Sequence, residues 1–310
     1  MTTGIPVRTD ILDATHALLR EGITQEELDA ALFQVRDWLR DQRRFLTPAQ
    51  WEDLREYTLH HPLSLKLRTL CPLTDRAFSK PRGYPGDAVT MDLLYGMHDN
   101  VPTDGLAGAV YSFTYRLPVF AAARYRRVHC GERADAAAAV HFGGTGAAVG
   151  AGHLREVNES VSIRNGSFPR YLAVDQDRES LKVAEHEYSQ YGVIGVPMGV
   201  RDIMRAGRLP ETVHFISCAG LYDYLSDRTA MPLTRALVTS LAPGGRLLIP
   251  HLTYFRDTAY LEAVMDWFVL HRNEGDLRCL LAEVPEHRIG SIACHRDPTE
   301  SITFLELHTA

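Results

Sequence analysis

Glycines and carboxylates at a telling spacing carry the chemistry most readable in this chain. Residues 143–157 read GGTGAAVGAGHLREV, and YLAVDQD follows from Tyr171 to Asp177 after a helix-length gap. Glycine lets a backbone approach a ligand closely, and a carboxylate at the next strand end can accept from two ribose hydroxyls. The pattern is that of a nucleotide pocket in an α/β sheet. Two turns compete for the loop: Phe142-Gly-Gly-Thr-Gly146, after the strand-like AAAAVHF, and Gly150-Ala-Gly152. A turn, a helix and a strand need about 20–25 residues, which favours Gly150 and Gly152 as partners of Asp175. Asp177 precedes Glu179 and Ser180, which open a helix, so it reads as an N-cap and not a ligand.

Other chemistries find no support. The five cysteines, Cys71, Cys130, Cys218, Cys279 and Cys294, include no CxxC pair, so neither a zinc knuckle nor a redox pair is expected, and no metal. An odd number of dispersed cysteines fits a reducing cytoplasm. No basic start with an apolar run marks a signal peptide, and no apolar run approaches about 20 residues, so a cytoplasmic chain without a membrane span is expected. The net charge of -6 and the short basic run Arg124-Tyr-Arg-Arg127 give no footprint for nucleic acid. Neither HExxH, nor GxxxxGK[ST], nor Ser-His-Asp spacing occurs. The partner expected is a small molecule.

The elements that must position the pocket follow from periodicity. The chain has 310 residues, enough for two domains. Residues 8 to about 60 read as helices, with a capping box at Thr24 and Glu27, and Thr47-Pro48 opening a third helix. Residues 61–100 gather Pro62, Pro72, Pro81, Gly83, Pro85 and Gly86, so much of this part is expected to be ordered loop. A helix resumes at Asp87, and another covers 105–128, broken near Pro118. From about residue 140 strand and helix alternate: YLAVD, VIGVPMGV, TVHFISCAG and GGRLLIPHL are strands, and a helix is expected over Arg256–Arg272. The tail, HRIGSIACHRD then ESITFLELHT, reads as an antiparallel pair. Repeated β-α units imply a doubly wound, mainly parallel seven-stranded Rossmann-like sheet with a C-terminal hairpin. The expected division is a helical lid or cap over 1–130 and a nucleotide-binding domain over 131–310.

VGAGHLREV with YLAVDQDRESL resembles motifs I and II of the class I S-adenosylmethionine (SAM)-dependent methyltransferases, and LAPGGRLLIP resembles their fifth-strand segment. SKPRGYPGDAVTMDLLYG (79–96) and FISCAGLYDYLSD (215–227) resemble more narrowly the extracellular-factor methyltransferases, which make 3-hydroxypalmitate methyl ester. The related azetidine-2-carboxylate synthases share the fold and a similar N-terminal cover. The resemblance covers roughly residues 60 to 310. Ala151 stands where many relatives carry cysteine, and His251 where relatives often show asparagine.

The resemblance implies SAM as cofactor, with a role for each matching position. Gly150 and Gly152 would pass under its methionine part. Asp175 would accept from the ribose hydroxyls, Gln176 would flank the adenine, and Arg201 and Asp202 would edge it. Ser217 to Gly220 would line the pocket floor. Arg82 would clamp the carboxylate and Tyr84 would cover the sulfonium; the alternative there is an ordered connector in which Asp87 caps the next helix. Tyr111, Tyr115, Tyr222 and Tyr224 offer aromatic faces to a cation, although tyrosines at helical spacing are more often core residues. His153, His251 and Glu156 are candidate bases. Two reactions fit: methyl transfer to a small acid, hydroxy acid or amine in bacterial secondary metabolism, and closure of SAM on its own amine to azetidine-2-carboxylate with release of methylthioadenosine. A third reading, a non-catalytic SAM-binding module, is opposed by the intact glycine loop and Asp175. The helical N-terminal region is open to use as a lid, a homodimer interface or both.

Overall fold

Capping chemistry starts the first long helices where the sequence places them. In the computed structural model, which describes residues 8–310, α1 is Asp10–Leu18, α2 Gln25–Phe45 and α3 Pro48–His60. At α2 the Thr24 side chain accepts from the Glu27 N–H while Glu27 accepts from the Thr24 N–H; Thr47 and Gln50 do the same at α3.

Residues 61–100 correct the loop expectation. They form α4 (Pro62–Leu70), α5 (Pro72–Ser79) and α6 (Ala88–Tyr95). Pro62 and Pro72 each stand at the first helical position, where a missing N–H is no loss. Between α5 and α6 a proline-glycine turn ends at Asp87. This buried carboxylate accepts from the Thr90 N–H at 2.8 Å and from Arg76 at 2.9 and 2.7 Å. Asp87 is therefore the cap of α6. Burial would raise its carboxyl, but Arg76 and the Thr90 N–H hold it below the usual range. Two further helices follow, α7 (Gly105–Tyr115) and α8 (Pro118–Val140). The alanine run expected to enter a strand at AAAAVHF instead continues α8 to Val140, as the high helix propensity of alanine favours.

Alternation then sets in as expected. The elements are β1 (Thr145–Val149), α9 (Val161–Arg164), β2 (Arg170–Asp175), α10 (Arg178–Tyr188), β3 (Val193–Pro197), α11 (Val200–Ala206), β4 (Val213–Ser217), α12 (Asp227–Ser240), β5 (Leu241–Leu252), α13 (Thr258–Met265), α14 (Glu274–Cys279), β6 (Ile289–Arg296) and β7 (Ile302–Thr309). The sheet order is β3-β2-β1-β4-β5-β7-β6. Strands β1 to β5 run parallel, and β7 lies antiparallel to both β5 and β6. Val149, Val174, Ile216, Ile249 and Leu305 from the strands pack with Leu233 and Leu237 of α12 in one buried cluster. Inside β1, a Cβ on Gly146 would lie 2.4 Å from the Tyr171 ring. That glycine serves strand packing and not a ligand loop.

The chain folds as two compact units. Among the described residues, one runs from Arg8 to Ala121 with Phe255–Phe268; the other is Ala122–Tyr254 with Val269–Ala310. The boundary expected near residue 130 falls inside α8. The helix expected over Arg256–Arg272 is shorter, since Asp266 takes the left-handed conformation (φ 50) and ends α13. Every residue of α13 is buried in the helical unit. Its Glu262 accepts from Arg43 at 2.7 and 2.9 Å and from the Trp51 indole at 3.0 Å. Asp266 accepts from Arg55 at 3.0 Å and pairs with Lys80. No described helix is long and apolar enough to cross a membrane.

Candidate functional site

In an open α/β sheet ligands bind beyond the carboxyl ends of the strands, and here the glycine turn leaves β1 at that edge. Gly150 (φ 71) and Gly152 (φ 53) both adopt the left-handed conformation, which an L side chain would resist. The Gly150 N–H donates to the Val174 carbonyl at 2.9 Å, tying the turn to β2. The Gly152 N–H donates to Asp175 Oδ2 at 2.8 Å, and the Asp177 N–H donates to Oδ1 at 2.9 Å. One carboxylate thus fixes both the turn and the end of β2. Leu154, buried and not a glycine, closes the turn at φ 55. Such a conformation costs of order 1 kcal/mol and persists only where the surroundings impose it.

The neighbouring strand ends converge on this turn. A Cβ on Gly150 would stand 3.2 Å from the Leu221 Cβ, beyond β4, and one on Gly199 would stand 3.4 Å from Gln176. Gln176 is exposed at the end of β2. Asp177 accepts from the Glu179 N–H at 3.0 Å, as the N-cap reading requires. Asp202 accepts from the Gly199 N–H at 3.1 Å and so caps α11; Arg201 beside it is exposed. The carboxylate expected at the adenine edge therefore also has a structural duty. Ser217 is fully buried at the end of β4, with Tyr171 nearby but no well-formed hydrogen bond between them. Gly220 (φ 82) leaves room for the Arg126 guanidinium, which would lie 3.1 Å from an added Cβ.

A second cluster lies at the end of β5. His251 is the penultimate residue of β5 and only 1% exposed. Its Nδ1 is 3.1 Å from Asp223 Oδ1, a charge contact off the line of the ring N–H. Asp223 is held by the Leu252 N–H at 2.8 Å, while Arg126 Nη1 lies 3.8 Å from Oδ2. Burial alone would raise the Asp223 carboxyl, but His251 and Arg126 outweigh it and hold it below the usual range. Opposite His251 across the β5–β7 ladder stands Thr303. Both His251 Nε2 and Thr303 Oγ1 are buried without a hydrogen-bond partner.

Several expected site residues are buried or have partners within the fold. Tyr222 is fully buried in the sheet core, its hydroxyl 2.8 Å from Thr234 Oγ1, and burial drives its ionisation far above the usual range. Its hydroxyl ties it to α12. Tyr111 is likewise a core residue whose hydroxyl donates to the Leu93 carbonyl at 2.7 Å. Glu156 is buried in the short turn Arg155–Glu159, and burial raises its carboxyl against the opposing charges of Arg126 and Arg127. His153 is buried in the glycine turn. Arg82 and Tyr84 lie in the turn before α6, in the helical unit. Sequence reasoning missed Asp223, Arg126 and Thr303. Asp223 had one signal, its place inside GLYDYL; the others carried none.

No protein-family profile and no curated protein sequence matches the chain. Solved structures do. One, described as a possible exported protein from Bordetella parapertussis, superposes with a TM-score of 0.61 at 15% identity, covering 99% of this chain and 98% of that one. With the reversed β7 between β5 and β6, the architecture is settled. The fold is the methyltransferase-type Rossmann-like one. Magnesium protoporphyrin IX methyltransferase from Synechocystis PCC 6803 with bound SAH has a TM-score of 0.47 at 11% identity, over 62% of this chain and 87% of that one. The pyocyanin biosynthetic protein PhzM also has 0.47, at 16% identity, over 97% and 92%. Among the described residues no group of three or more His, Cys, Asp or Glu is placed to hold a metal ion.

Proposed function

We propose that this chain is a SAM-dependent methyltransferase acting on a small acid, hydroxy acid or amine in bacterial secondary metabolism, in the cytoplasm. The observation that carries the reading is the Asp175 carboxylate, bonded to the Gly152 N–H at 2.8 Å at the ligand-binding edge of the sheet. The residues present fit SAM. Each Asp175 oxygen has accepted one backbone N–H, so each keeps a lone pair for a ribose hydroxyl. Gly150 and Gly152 leave bare backbone where the methionine part would pass, and Gln176 would flank the adenine. When bound, SAM supplies an electrophilic methyl group. The chain's own residues would hold the nucleoside, with the turn fixed through Asp175.

The rival reaction is ring closure of SAM on its own amine. Incubation of the purified protein with SAM alone, followed by mass spectrometry, separates the two. SAM should stay intact until an acceptor is added and then yield S-adenosylhomocysteine. Methylthioadenosine with a four-membered amino acid from SAM alone would overturn the proposal.

A further inference from the structure

We propose that His251 is the general base of the reaction, positioned by Asp223, and that the group it serves is a hydroxyl of the acceptor and not a carboxylate. This rests on the methyltransferase reading above.

Two buried polar atoms beside the end of β5 lack a partner among the described residues. Buried polar atoms almost always have a partner, and each exception needs a reason. His251 Nε2 and Thr303 Oγ1 are both buried without one, on side chains 1% exposed, and their residues pair directly in the β5–β7 ladder. Directly opposed residues have Cβ atoms about 4.5–5.5 Å apart and share a face of the sheet. Both lie at the carboxyl end of β5, the edge where ligands bind. Asp223 decides the tautomer. A carboxylate 3.1 Å from Nδ1 draws the proton to Nδ1 and leaves Nε2 with a bare lone pair. The off-line contact is of the kind that tightens when substrate binds. The carboxylate is itself fixed by the Leu252 N–H, with Arg126 behind it, while nearby His271 is turned to the Thr253 carbonyl at 2.9 Å.

A bare acceptor beside a hydroxyl selects the acceptor's chemistry. A carboxylate arrives ionised, has no proton for Nε2, and would meet that lone pair with its own. A neutral amine can donate to Nε2, but its single lone pair is needed for attack and cannot also accept from Thr303. A hydroxyl donates to Nε2, accepts from Thr303 on one lone pair and attacks with the other. The O–H proton passes to Nε2 as the oxygen–methyl bond forms. The methyl–sulfur bond breaks with its electron pair going to sulfur, and the imidazolium returns its proton to water.

The first test needs no turnover. In nitrogen-15 NMR of the SAM-free protein, His251 should show protonated Nδ1 and bare Nε2; a protonated Nε2 at neutral pH would overturn the assignment. The second compares 3-hydroxyoctanoate with octanoate as acceptors. The hydroxyl should be methylated, with octanoate unchanged. His251→Gln should lower kcat by about 10²–10⁴-fold and keep SAM affinity within about threefold. Asp223→Asn should lower kcat with SAM affinity kept, and should weaken the preference for protonated Nδ1 in the nitrogen-15 spectrum of His251. Methylation of octanoate, or His251→Gln retaining full kcat, would overturn the dyad while leaving SAM-dependent methyl transfer standing. Methylthioadenosine from SAM alone would overturn both.

Discussion

The carboxyl edge of the sheet is finished in one place and unfinished in another. At β1 and β2 the Gly150 and Gly152 N–H groups are paired, and both Asp175 oxygens are engaged by backbone. At β5 and β7, His251 Nε2 and Thr303 Oγ1 are buried with no partner. The first region is complete before any ligand arrives and binds through its remaining lone pairs, so it need not rearrange. The second carries a desolvation penalty of about 1–3 kcal/mol per orphan group, which a polar ligand relieves. A site that holds one molecule by preformed backbone and draws a second by unmet hydrogen bonds suits a two-substrate reaction.

This contrast can be broken at either end. Asp175→Ala has the largest expected effect, since a hydrogen bond to a charged group contributes about 1.5–3 kcal/mol. SAM affinity measured by calorimetry should fall by at least tenfold, and unchanged affinity would remove the nucleotide from this edge. Gly150→Ala comes next. It places a side chain at φ 71, 3.2 Å from Leu221, and should lower the unfolding free energy by about 1–2 kcal/mol in a denaturant titration. Equal stability would mean that the turn is looser than its hydrogen bonds imply. Thr303→Val should not destabilise the fold and should stabilise it by up to about 1–3 kcal/mol, because it deletes a buried hydroxyl that bonds nothing in the folded protein. A loss above about 1 kcal/mol would show that the region is finished after all.

The sequence made the nucleotide edge legible because its signals are local. Glycines at φ 71 and 53 and a strand-ending Asp175 report a backbone need and a spacing. The β5 edge was legible only in His251. Asp223 reaches that histidine from a separate segment, and Thr303 reaches it through strand register; neither leaves a mark in local pattern. The misreadings have physical causes. Pro62 and Pro72 start helices and do not break them; proline at the first turn and proline in a loop look alike in sequence without the capping geometry. The alanine run before His141 lacks the branched residues of a strand and follows its helix propensity instead. The GLYDYL pattern gives no sign that the Tyr222 hydroxyl turns inward to Thr234.

The placement of α13 bears on how the chain must be made. The helical unit contains Phe255–Phe268, and Arg43, Trp51 and Arg55 find their carboxylate partners on or just after α13. As synthesis proceeds from the N-terminus, that unit waits for the first five strands to emerge before its last helix exists. A fragment ending at Ala121 would lack Glu262 for Arg43 and Trp51 and Asp266 for Arg55, and would leave a helix-sized apolar surface in water. Despite the position of most of its residues, the helical unit is thus a late product of synthesis, completed only after the nucleotide turn has been made.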